Sequence, residues 1–269
     1  MKHQFYTLSE LPLTELEKLG LAAGGKVSLD EPNLQALLEG RRTDHIRLSN
    51  LKMGQHEINE LDAKVSLLRN RHGDLEVLLH PIYKEVAKPE YLTDVEAEKL
   101  QNGETVSILK KILDEQGKPK EILVEFDAET AEFVITDTDR MIVPDRMNNE
   151  PLTAAQKEAF KKGKEVKLSD GTAFKYSGTD QQGLRANKIA LISSILFDGG
   201  LSYMLYKGLK SLTGEKQAAK AEQAYSAGYH EAVKDLDMQL TSEERRIINA
   251  AEQKSVLSQK KISSYNRSR

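Results

Sequence analysis

The chain has 269 residues, 39% hydrophobic, 30% charged and 6% aromatic, with no tryptophan, no cysteine and a formal net charge of −3. Its length holds one large domain or roughly two or three small ones, and so few aromatics favour several modest cores. The charge leaves no global basic field for nucleic acid. The missing cysteines exclude disulfides, thiolate zinc sites, iron–sulfur ligation and thiol nucleophiles, and fit a reducing cytosol.

The first ten residues, Met1 to Glu10, contain neither a long apolar core nor a small-residue cleavage site. No signal peptide is expected, and the protein is expected in the cytoplasm. A looser copy of a repeated unit, equivalent to the two that follow or a chance likeness, starts at Leu13-Thr14 and runs through Leu21, Gly24, Val27 and Leu29. The same spacing recurs at Leu92-Thr93 with Leu100, Gly103, Val106 and Ile108. It recurs again at Leu152-Thr153 with Phe160, Gly163, Val166 and Leu168. Such internal repeats report a reused structural unit. Thr14, Thr93 and Thr153 precede Glu17, Glu96 and Gln156 by three residues, which predicts a capping box opening a short helix. Gly103 and Gly163 fall where a left-handed C-terminal cap is needed. Alternation as in Val106-Ser107-Ile108 and Val166-Lys167-Leu168 then predicts a half-buried strand. Gly24-Gly25-Lys26 lacks the length and the hydroxyl residue of a phosphate loop, and is read as the end of the first helix.

Two hairpins lie between the units. Residues 64–68 and 75–79 flank the turn-forming run Asn70-Arg71-His72-Gly73-Asp74, and residues 121–126 and 132–136 flank Asp127-Ala128-Glu129-Thr130. Both are expected to be antiparallel with one buried face.

Beyond Asp180 the composition turns helical. The stretch from Arg185 to Leu212 is expected to form a helix broken at Asp198-Gly199-Gly200. Within it, Ile189 to Tyr206 has roughly the 18 to 20 residues of a membrane span. A mid-span Asp costs about 2.5–3.5 kcal/mol, so a buried, bent helix is expected instead, with no membrane. A further helix from Glu215 to Leu240 carries an apolar stripe of Ala218, Ala221, Tyr225, Tyr229, Val233, Leu236 and Leu240. Thr241-Ser242-Glu243-Glu244 opens a third. The end, Lys254 to Arg269, is serine-rich and free of acids, and reads as a mobile tail. The fold class is therefore α+β: repeated helix–Gly–strand units with antiparallel hairpins, then a C-terminal helical region. The expected modules are 1–52, 53–90, 91–180 and 181–269.

No residue set completes a catalytic centre, and no cofactor or metal is expected. The six histidines show no metal-ligand spacing. His80, in Leu79-His80-Pro81, is expected to cap a strand, and His72 to be solvated in its turn. Asp170-Gly171-Thr172 reads as a β-turn. Asp198-Gly199-Gly200 is either a helix break or a close backbone approach to a ligand. Two basic features stand out: Lys157, Lys161, Lys162, Lys164, Lys167 and Lys175, and the tail cations Lys254, Lys260, Lys261, Arg267 and Arg269. Either could contact phosphates without reading sequence, or be a solvated surface. The stripe Tyr225, Tyr229, Val233, Leu236 and Leu240 is the candidate partner or dimer seam.

Three stretches carry a resemblance: Leu11-Pro12-Leu13 through Leu38-Glu39-Gly40-Arg41-Arg42-Thr43, Leu61-Asp62-Ala63-Lys64 with His80-Pro81-Ile82-Tyr83-Lys84, and Leu152-Thr153-Ala154-Ala155-Gln156-Lys157 with Gly163-Lys164-Glu165-Val166 and Asp170-Gly171-Thr172. Over roughly residues 10 to 205 the chain resembles a pair of uncharacterised bacterial domain families carried on integrative and conjugative elements of gut anaerobes. Members are encoded beside DNA-handling proteins such as topoisomerases, and no catalytic residues come with the resemblance. It implies a non-enzymatic accessory protein of a mobile element that contacts nucleic acid or a DNA-processing partner. The alternatives are a protein–protein adaptor that docks or dimerises through its C-terminal helices, and an enzyme whose site assembles from scattered residues.

Overall fold

The computed structural model describes residues 5–53, 56–114, 116–188, 190–197, 200–207, 209–212 and 225–239. Helix α1 (Leu13–Lys18) opens the fold. Thr14 lies inside it: the cap is Pro12, whose carbonyl accepts from Leu16 N at 3.0 Å. The capping box expected at Thr14 therefore does not form. Glu17 accepts instead from Gly25 N at 3.0 Å, across the tight turn joining β1 (Ala22–Ala23) to β2 (Lys26–Val27). Helix α2 (Glu31–Leu38) starts at Asp30, whose carboxylate accepts from Asn33 N.

A three-stranded antiparallel meander follows: β3 (Ile46–Met53), β4 (His56–Arg69) and β5 (Leu75–Pro81). A boundary at 52/53 would cut β3 from the strand it pairs with. Period-2 alternation splits β4 cleanly. Ala63, Val65 and Leu67 join Leu16, Leu37 and Leu48 in the N-terminal core, whereas Lys64 and Ser66 take the other face. The hairpin register of β4 and β5 runs from Arg69↔Leu75 to Ala63↔Pro81, as the alternation predicts.

Helix α3 (Asp94–Gln101) opens on a complete capping box at Thr93 and Glu96, and Gly103 beyond it has φ 68°. The sheet β6 (Ser107–Leu113), β7 (Pro119–Asp127), β8 (Glu132–Asp137) then forms in sequence order. β7 is covered on both faces. Ile122 and Val124 pack with Leu92, Ala97 and Leu100, while Leu123 packs with Phe160 and Phe174 in the next core. Two short strands, β9 (Arg146–Met147) and β10 (Glu150–Pro151), precede α4 (Ala154–Lys161). This helix has the capping box expected at Thr153 and Gln156, and Gly163 follows at φ 65°. A small antiparallel sheet comes next: β11 (Val166–Lys167), β12 (Ala173–Tyr176) and β13 (Leu184–Ala186). Asp170-Gly171-Thr172 is the turn before β12, with Thr172 N donating to the Asp170 side chain at 2.8 Å.

The largest correction lies beyond Asp180. The stretch expected as a bent helix is an antiparallel hairpin, β14 (Ala190–Phe197) and β15 (Gly200–Lys207), and β14 also pairs with β9. The reason is burial on two faces. Leu191 enters the core with Phe160 and Phe174, while Ala190 and Ile192 pack with Tyr229 and Ala232. A strand covered on both sides loses its alternation and cannot be told from a helix by period. Helix α5 (Ala227–Gln239) lies on β14. The expected third helix and the basic tail fall outside the described residues. Among the described residues no helix is long and apolar enough to cross a membrane. The architecture is mixed α+β, with antiparallel sheets throughout.

Candidate functional site

The lysines singled out in the sequence divide into two groups. On α4 and the strand after it, Lys157 pairs with Asp145, Lys162 with Glu158 at 2.9 Å and Lys167 with Glu165 at 3.4 Å. Lys161 and Lys164 make no ion pair among the described residues; Lys161 is half-buried and Lys164 exposed. Surface pairs of this kind are worth only about 0–1 kcal/mol, so these lysines remain available to a phosphate backbone.

Lys175 sits differently. It is half-buried on β12, directly opposite Arg185 on β13. Arg185 in turn forms a parallel bridge with Lys210. Three cations therefore stand side by side across adjacent chain segments, an arrangement that is destabilising in a sheet. Burial, and then the charge of Arg185, push the Lys175 ammonium below its ordinary value. Neither Arg185 nor Lys210 has a side-chain hydrogen bond or ion pair among the described residues, and Arg185 Nε is buried without any partner.

The acid behind this row is Glu125 on β7. It is fully buried and accepts hydrogen bonds from Ser177 Oγ at 3.0 Å and from Gly178 N. Burial raises its carboxyl to about 7; the two hydrogen bonds and the charges of Arg185 and Lys175 oppose the rise.

A second polar cluster joins the outer face of β4–β5 to the β7–β8 turn. Lys64, 2% exposed, donates to Asp127 at 2.8 Å and pairs with Glu129 at 2.6 Å. Burial alone would lower its ammonium, but these carboxylates hold it above the ordinary value. Arg42 pairs with Glu132 at 2.8 Å and lies 3.8 Å from Asp127. His80 Nδ1 is 3.2 Å from the same Glu132 oxygen, and its Nε2 is 2.8 Å from Ser66 Oγ. Burial, and then Arg42, push the imidazole below its ordinary value despite Glu132. The neutral ring thus donates from Nδ1 to Glu132 and accepts from Ser66. Serine, histidine and acid follow one another as in a nucleophile relay. The acid, however, is shared with a guanidinium, and the cluster satisfies every charge that the junction of two hairpins buries. Ser66 and His80 line a cavity of about 450 Å³ between these hairpins and the C-terminal sheet, with exposed Leu68, Leu78 and Ile135 on its wall. Among the described residues no group of three or more His, Cys, Asp or Glu could hold a metal ion.

The proposed partner seam is largely occupied by the chain itself. Tyr229 is buried and Val233 packs beside it against β14. Tyr225 is 48% exposed and stacks on Tyr229 at 5.0 Å between ring centroids. Leu236 lies in α5, and Leu240 falls outside the described residues. The tail cations Lys254, Lys260, Lys261, Arg267 and Arg269 fall outside them as well. The helix that the composition predicts beyond Asp180 does not bring Arg185 and Lys210 together with Lys175. A β12–β13 hairpin places Lys175 opposite Arg185 at once.

Comparison with curated proteins finds no match, and neither does comparison with solved structures. Residues 6–90, which span the N-terminal helices and the β3–β4–β5 meander, match the model of a family described as a protein of unknown function (DUF4099).

Proposed function

We propose that this chain is a non-enzymatic, cytoplasmic accessory protein of a mobile genetic element that contacts nucleic acid, alone or together with a DNA-processing protein. The observation that carries this reading is the row Lys175, Arg185, Lys210. Adjacent cations without a carboxylate at ion-pair distance are costly in the free protein and favourable against phosphate. Half-buried Lys161 at the end of α4 and exposed Lys164 just after it would extend the contact and add sequence-independent affinity. The test is a fluorescence-anisotropy salt titration with single- and double-stranded oligonucleotides. Binding should fall with salt, and the double variant Lys161→Glu, Lys164→Glu should flatten the slope. No binding of either probe at low ionic strength, where screening is weakest, would remove the reading. An adaptor role is the second reading, resting on Tyr225, the exposed aromatic two residues before α5. There, Tyr225→Glu should abolish capture of a protein partner and leave the fold intact.

A further inference from the structure

We propose that the pocket between the end of α3, the β7–β8 turn and β13 is a site for a phosphoryl group, with the Arg185 guanidinium and the Lys210 ammonium as its ligands. This deepens the nucleic-acid reading and rests on it in part. The pocket has a volume of about 300 Å³, and Arg185 and Lys210 both line it. That is near the lower end of small-ligand sites, enough for a phosphoryl group and part of what carries it.

Among the described residues neither cation of the pocket has a carboxylate at ion-pair distance, and Arg185 feels the buried Glu125 only at longer range. Asp127 and Glu129 also line it, but Lys64 binds both, at 2.8 and 2.6 Å. Lys210 feels Glu129 and Asp44 only at longer range. The carbonyls at the end of α3 could have satisfied a guanidinium. Two of them already accept from other donors: Lys99 O from Glu104 N and Thr105 N, and Leu100 O from Gly103 N. Arg185 Nε is thus buried without a hydrogen bond beside two further cations. Buried polar groups are nearly always paired, and an exception calls for a specific cause. An oxyanion supplies that cause. It would accept from the guanidinium fork and from the ammonium, and would neutralise the repulsion along the row. Thr105, Thr179 and the Asn102 amide, on the same walls, add neutral donors. Phosphate fits this mixture of fork, point charge and hydroxyls, and it reaches the pocket either on a polynucleotide or on a small phosphorylated molecule.

The test uses the full chain with inorganic phosphate, adenosine monophosphate and a single-stranded oligonucleotide. Binding is followed by calorimetry at constant ionic strength set with chloride. The variants are Arg185→Gln and Lys210→Gln, with Lys26→Gln in β2 as a control of equal charge change. At least one probe should bind saturably, and the first two variants should weaken it at least about tenfold, as expected for losing a charge-assisted hydrogen-bonding group. The control should not. Lys210 is exposed, so its variant reports on the site even if the Arg185 variant folds poorly. Oligonucleotide binding that neither variant changes would overturn the pocket and leave the nucleic-acid reading standing. Binding of phosphate or the mononucleotide without the oligonucleotide would keep the pocket and remove that reading. No saturable binding of any probe would remove both.

Discussion

Glu125 offers a direct test of how burial controls this fold. Its carboxyl is fully enclosed, with a value raised from 4.5 to about 7. At about 1.4 kcal/mol per pH unit, this shift corresponds to roughly 3 kcal/mol. The group binds its proton more tightly in the folded state, so the sign is fixed. Its contribution is most favourable below pH 4.5, is lost as pH rises from 4.5 to about 7, and is a constant cost above that. Glu125→Gln keeps a carbonyl oxygen to accept from Gly178 N or Ser177 Oγ and cannot ionise. The variant should therefore be more stable than the parent by about 2–3 kcal/mol at pH 8, and close to it at pH 5. For a chain of this size that is roughly 5–10 °C in melting temperature. Urea denaturation of both proteins across this range reports chiefly on the group, because every titration not coupled to Glu125 cancels in the difference. A difference that stays flat from pH 5 to pH 8 would show that the carboxylate is solvated or fully paired, and the argument would fail.

Three further perturbations probe other parts of the structure. A side chain at Gly163 would bring its Cβ to 2.7 Å from Leu123 Cδ1 and 3.0 Å from Ser107 Oγ, whereas one at Gly103 meets nothing within 4 Å. Gly103→Val should therefore cost about 1–2 kcal/mol of left-handed strain and Gly163→Val clearly more; equal shifts in thermal melts would refute this. Asp127→Ala strands Lys64 with only the half-exposed Glu129, and should cost about 3 kcal/mol in a denaturant titration. The double variant Lys64→Met, Asp127→Leu should recover most of that loss. A fluorophosphonate probe should leave Ser66 unlabelled in the folded protein; labelling that disappears in Ser66→Ala would replace the binding role by a hydrolase.

Local chemistry was legible where a few neighbouring residues decide the outcome. The boxes at Thr93 and Thr153 needed only a hydroxyl and an acid or amide three residues apart, and the hairpin turn at 70–74 needed only its polar residues. The copy at Thr14 failed because Pro12, two residues earlier, already serves as the cap. Residues 190–207 failed for a tertiary reason. Ser193 and Ser194 are buried beside Leu191 and Ile192, so polar and apolar positions no longer mark two faces. As a dipeptide, Asp198-Gly199 is a favoured hairpin signal in the sequence, although the two residues fall outside the described ones. The cation row is illegible without strand register, since Lys175, Arg185 and Lys210 span 36 positions of sequence.

The ion pairs of Lys64 also bear on how such a chain can be shuffled in evolution. Lys64 lies inside the segment that matches a family model, and Asp127 and Glu129 lie outside it. Recombination that moves residues 6–90 alone would carry along a lysine whose counterions stay behind. Where the segment is joined to unrelated sequence, position 64 should be apolar, or the new neighbour should bring an acid of its own. Where the β7–β8 hairpin travels with it, positions 64 and 127 should change together. The segment is therefore portable only with its counterion or with a substitute for Lys64.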